Sequence, residues 1–135
     1  DLAFDPEKVV RSIEADKVNV VLIVGDADRW WTTMTAEERK HGYEQYSLFS
    51  KSLVERGHKI TGGAELHAST EAKHLPPGTT AVTDGPFAET TEQIGGFYTV
   101  ETDDVDDLLD CCTILTAIGE GIELRRVVQP EERAS

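Results

Sequence analysis

Asp84 is the first residue in this chain whose position invites chemistry. It sits in the run Thr83-Asp84-Gly85-Pro86-Phe87-Ala88-Glu89-Thr90, at the end of a predicted strand and directly before a Gly-Pro turn. Two more carboxylates, Glu89 and Glu92, follow before a Gln93-Ile94-Gly95-Gly96-Phe97-Tyr98 segment opens. Buried at a pocket mouth, an Asp with a raised pKa could take a proton from a carbon or hydroxyl acid. The same carboxylate could equally accept backbone amides across its turn, as Asp commonly does. Glu89 and Glu92 could share protons with Asp84 or bind a cation, or simply stand solvated on the return arm.

His67 lies at a predicted strand end, where it could supply an imidazole or be an ordinary surface histidine. Trp30 and Trp31 could wall an aromatic pocket, or serve as an interface anchor and loop packing. Tyr98 is read as packing at a subunit interface with its hydroxyl at the edge, or as part of a ligand site. The acidic group Glu101, Asp103, Asp104, Asp106, Asp107 and Asp110 lacks the alternating spacing and central Gly of a calcium loop, and suits a helix N-terminus instead. No Gly-rich phosphate loop follows a strand, no serine elbow is present, and no thiol stands beside a plausible base.

The composition narrows the field further. With 135 residues, one domain with one hydrophobic core is expected. The sequence carries 26 acidic and 13 basic residues, for a net charge of -13. That field repels phosphate backbones, so neither nucleic acid nor an anionic membrane is an expected partner. No apolar run approaches a bilayer span and no signal-peptide pattern opens the chain; its first residue is Asp1 rather than Met, as after N-terminal trimming. Cys111 and Cys112 are adjacent in a predicted helix, so a disulfide between them is not expected. Reduced thiols fit a cytoplasmic protein, and no second Cys pair or close His pair completes a metal set.

The elements that must position these residues follow from periodicity. Asp5-Pro6-Glu7 opens an extra N-terminal helix with Val9, Val10 and Ile13 on one edge. Val18 to Val24 is an almost continuously apolar strand. Thr35-Ala36-Glu37-Glu38 is a capping box for a long helix with Tyr46, Phe49 and Leu53 at helical spacing, stopped by Gly57. Further strands are predicted over Lys59 to Leu66, interrupted by Gly62 and Gly63, and over Thr79 to Thr83 and Gly96 to Glu101, with a loop at Ala68 to Gly78. Asp103 or Asp104 caps a second helix with a Val105, Leu108, Cys112, Leu115 stripe; Gly119 ends it before a closing strand. This order predicts an α+β fold, a ferredoxin-like antiparallel sheet with two main helices on one face. Because Val20, Leu22 and Val24 alternate with Val21 and Ile23, both faces of the first strand are apolar, and a second copy of the chain is expected to cover the outer one.

Taken together, these residues resemble the YCII-related family, in the branch named for its Asp-Gly-Pro-Phe motif. The resemblance is carried by Val20-Val21-Leu22-Ile23-Val24-Gly25, the Trp30 loop, Gly62-Gly63-Ala64-Glu65-Leu66, and the run from Thr83 to Thr90 with Glu92 to Tyr98. It implies a dimeric α+β barrel and covers residues 18–128; the helical extension at 1–17 and the polar tail at 129–135, read from their own residues, lie outside it. Some relatives in the wider family are lyase-like enzymes using a His and an Asp; here the loop from Asp26 to Thr33 has no His, and the nearest is His41. Members of this branch are often encoded beside extracytoplasmic-function sigma factors.

The sequence reading is therefore a cytoplasmic homodimer that binds a small organic molecule without a cofactor or metal. If it is an enzyme, it is a cofactor-independent lyase or proton-transfer catalyst, with Asp84 as acid/base and His67 or Glu92 assisting. Trp30, Phe87, Glu89 and Tyr98 are the expected ligand contacts. The alternative is a non-catalytic regulatory or binding module tied to transcription.

Overall fold

The structure, a computed structural model, describes residues 17–85 and 93–133. The predicted helix after Asp5 lies outside them, as do Pro86, Phe87, Glu89 and Glu92. Strand β1 (Val18–Gly25) leads through the single-turn helix α1 (Arg29–Thr32) to the long helix α2 (Ala36–Glu55). Strand β2 (Lys59–Glu65), a turn of 3-10 helix, and the two-residue strands β3 (Lys73–His74) and β4 (Thr83–Asp84) follow. Strand β5 (Gln93–Glu101), helix α3 (Val105–Thr116), strand β6 (Gly121–Arg126) and the short α4 (Pro130–Arg133) complete the order.

Four strands form one antiparallel sheet in the order β2-β5-β1-β6, while β3 and β4 pair in a separate ribbon. Side chains alternate across strand β1: Asn19, Val21 and Ile23 are buried, whereas Val20, Leu22 and Val24 are only partly so. Val21, Ile23 and Val100 meet Phe49 and Leu53 of α2 and Leu108, Cys111, Cys112 and Leu115 of α3 in one core cluster. Each such large side chain taken out of water contributes roughly 1.5–3 kcal/mol. On the outer face, Leu22 pairs with Phe97 and Glu123, and Val20 with Thr99 and Arg125, leaving an apolar band edged by charge.

Local signals fix both helices. The capping box is complete: Thr35 Oγ1 accepts from the Glu38 amide at 3.1 Å, and Glu38 accepts from the Thr35 amide at 2.9 Å. Gly57, at φ +87°, closes α2 with a Schellman turn in which the His58 amide donates to the Leu53 carbonyl at 2.9 Å. Asp104, one of the two expected caps, accepts from the Asp107 amide at 3.0 Å.

Several boundaries differ from expectation. The β-branched run from Thr79 to Thr83 is no sheet strand; only Thr83 and Asp84 pair, and with the small β3 ribbon rather than the main sheet. β5 starts at Gln93, three residues before the predicted Gly96, and β2 runs through Gly62 and Gly63 with a register shift between Ile60 and Gly62. In α3 the buried stripe takes in Cys111, while Val105 is exposed. The predicted polar tail holds the single turn α4.

Candidate functional site

A cleft of about 280 Å³ opens between the first half of α2 and the sheet surface of β2 and β5, closed at one end by the loop after β1. Its floor is nearly bare backbone, because Gly63, Gly95 and Gly96 put no side chains there. A Cβ on Gly96 would lie 2.8 Å from the Ala64 carbonyl oxygen, and one on Gly63 2.6 Å from that of Phe97. The walls are aromatic. Trp30 meets Tyr43 and Tyr46 with ring centroids 5.1 and 5.8 Å apart, and Trp31 lies over His67 at 4.9 Å.

Glu120 organises the inner end. Its side chain is only 5 % exposed, and it accepts hydrogen bonds from the Arg29 guanidinium, from Trp30 Nε1 at 3.2 Å and from the Tyr46 hydroxyl. Arg29 also donates to the Ile118 carbonyl at 3.2 Å. A buried carboxylate needs this kind of paired, hydrogen-bonded setting. Burial, reinforced by the Glu120 carboxylate, pushes the Tyr46 phenol far above its usual range, so Tyr46 is held as a donor.

Asp28 fixes the loop that carries the two tryptophans. Its carboxylate accepts from the Ser69 amide at 2.8 Å, from the Ser69 hydroxyl, and from Gln93 Nε2 at 3.0 Å, while its own amide donates to Gln93 Oε1 at 2.8 Å. Asp28 therefore makes no side-chain cap on α1, whose N-cap position it occupies. Three distant segments are tied at one carboxylate.

The outer rim is more open. Tyr43 donates to Glu65 at 2.7 Å, and that bond, with some burial, pushes the phenol up to about 12. His67, lining the cleft, points Nδ1 toward Glu71 at 3.9 Å, with both side chains largely exposed.

Of the residues expected from sequence, Trp30, His67 and Tyr98 all line this cleft. Tyr98 packs its ring against Phe49 at 5.3 Å, beneath α2 rather than on the outer sheet face, and burial raises its pKa. Asp84 stands apart. Its side chain is 82 % exposed on the β3–β4 ribbon, bridged to Lys73, and outside the cleft lining. Phe87, Glu89 and Glu92 lie outside the described residues. Sequence reasoning missed Glu120, Glu65, Tyr43 and the pinning role of Asp28; their partners lie 22 to 91 residues away, with no local spacing to reveal them.

A second group of polar side chains lies where the residues after α2 meet the first turns of α3. Donor atoms of His58, Asp107 and Cys111 fall within 4.8 Å of one another. They are already engaged: His58 bonds Thr102 and Asp107 at 2.7 Å each, and Arg56 takes the other Asp107 oxygen. Burial raises the pKa of Cys111 and pushes the Cys112 thiol up to about 12; both cysteines are free. Among the described residues, no helix is long and apolar enough to cross a membrane.

Comparison with known proteins places this geometry in a family. The YCII-related domain pattern matches residues 18–130. An uncharacterized protein of Rhizobium meliloti (strain 1021) is 40 % identical over 76 residues, which cover 55 % of this chain and 60 % of that protein.

Proposed function

The chain belongs to the YCII-related domain family, and from that premise we propose that it is a binding domain whose aromatic cleft takes a small organic molecule. The observation that carries this reading is the cleft itself: a preformed, apolar concavity with few, fixed polar groups is the usual form of a small-molecule site. The glycine floor admits a flat or compact apolar body. The Glu120 cluster offers no free charge, since Arg29 satisfies it.

Cofactor-independent proton transfer is the second reading, favoured by one observation: His67 brings an imidazole to the cleft wall with a carboxylate beside it. In that reading Asp84, the acid/base expected from sequence, would have to act from outside the lining. The Asp-Gly-Pro-Phe run supports membership of the branch named for it. The strand order β2-β5-β1-β6, with α2 and α3 sharing one core, supports a ferredoxin-like arrangement. The partly buried Val20, Leu22 and Val24 beside Phe97 support a second copy packed on the outer face, as in a dimeric barrel.

Native mass spectrometry of the chain as purified tests the binding reading. A reproducible extra mass that disappears in Trp31→Ala supports it. A clean spectrum, together with no thermal shift from a small-molecule library, would sink it. The same spectra report subunit number, and a dimer that dissociates in Leu22→Glu is the expected result for outer-face packing.

A further inference from the structure

We infer that the cleft selects a small organic cation, a quaternary or protonated amine, held against its aromatic rim beside Glu65; this rests on the cleft being a ligand site. Three observations converge. First, the rim rings are accessible: Trp31 is 45 % and Tyr43 44 % exposed although both line the cleft, and electron-rich indole and phenol faces attract cations. Second, the charged groups of the lining are Glu65, Glu120 and the ionisable His67, with no Lys or Arg among them. Glu120 is neutralised by Arg29, but among the described residues no Lys or Arg pairs with Glu65, whose one bond comes from the Tyr43 hydroxyl. Third, the chain carries a net charge of -13, a field that concentrates cations and repels anions.

An anionic ligand finds no complement here. The two guanidinium groups near the cleft are committed elsewhere: Arg29 to Glu120 and the Ile118 carbonyl, and Arg39, whose charge is felt at Tyr43, to the Met34 carbonyl. A neutral apolar ligand would fit the walls but leave Glu65 without a counter-charge. A cation over Trp31 and Tyr43 would satisfy both at once, since the Tyr43 hydroxyl already brings the Glu65 carboxylate to the edge of that ring.

The test compares choline with the neutral alcohol in which carbon replaces its nitrogen, titrated into the full chain while tryptophan fluorescence is followed. The two tryptophans of the sequence, Trp30 and Trp31, both line the cleft, so the signal is local. Choline is expected to bind about tenfold more tightly than the alcohol. Glu65→Gln, an exposed substitution that keeps an acceptor for Tyr43, is expected to weaken choline about fivefold and leave the alcohol unchanged. Equal binding of the two probes, or a choline preference untouched by Glu65→Gln, overturns the cation inference while leaving the cleft as a ligand site. No response to either probe, with no retained mass in the native spectrum, overturns both.

Discussion

Gly42 approaches the Trp30 indole so closely that a Cβ built on it would lie 2.3 Å from ring carbon Cη2. A glycine inside a 20-residue helix costs about 1 kcal/mol relative to alanine, so propensity alone favours Gly42→Ala. The clash acts the other way, and with a rigid, buried ring overpacking costs about 1–3 kcal/mol. Gly42→Ala is therefore expected to lower the unfolding free energy by about 0–2 kcal/mol in urea melts, and to shift tryptophan emission. A net gain in stability would mean that the indole moves aside freely.

The Glu120 cluster should show coupling. Glu120→Gln leaves the Arg29 guanidinium, 23 % exposed, without a counter-charge, and a loss of about 3 kcal/mol is expected. In an Arg29→Met background the same change should cost less, because no charge is orphaned, although the one amide oxygen replaces only one of the two acceptors that serve Trp30 and Tyr46. A double-mutant cycle by chemical denaturation is expected to give a coupling of about 1–3 kcal/mol. Additive losses would show that the pair is not held by charge.

Acid sensitivity should centre on Asp107. His58, and then Arg56, hold its carboxyl below the ordinary value of 3.8. A depressed folded-state pKa gives stability that is present above the unfolded value and is lost as pH falls through the folded one. Melting temperature should thus drop on acidification below 3.8, and Asp107→Asn should flatten that limb while lowering stability at neutral pH. An unchanged acid limb in the variant would place the responsible carboxylate elsewhere.

Asp84→Asn separates the two functional readings. Because the Asp84–Lys73 bridge is exposed on both sides, its loss should change stability by less than about 1 kcal/mol. Ligand retention in the cleft is expected to be unaffected. A variant that folds and binds but no longer turns over a substrate would return Asp84 to the role of acid or base.

What could be read from the sequence was what is encoded locally. The Thr35–Glu38 box, the Gly57 stop and the Asp104 cap each involve residues within a few positions of one another, and all three stand in the structure. The alternation of Val20 through Val24 revealed a strand with two apolar faces, and Trp30 was legible as a loop aromatic that could wall a pocket. The stretch from Thr79 to Thr83 misled because β-branched residues report propensity, not partners, and only the short β3 was there to pair with. Glu120 was illegible for a related reason: it follows Gly119 as an unremarkable linker acid, and acquires meaning only where Arg29, Trp30 and Tyr46 converge on it.

The Asp28 clasp has a corollary for chain length. Ser69 and Gln93 are both moored to one carboxylate, so the chain leaves and rejoins the domain at neighbouring points. Whatever length runs between two such moorings, doubling it adds only about 0.6 kcal/mol of closure entropy. A change in the length of what runs between the two moorings is thus expected to leave the tryptophan loop in its seat.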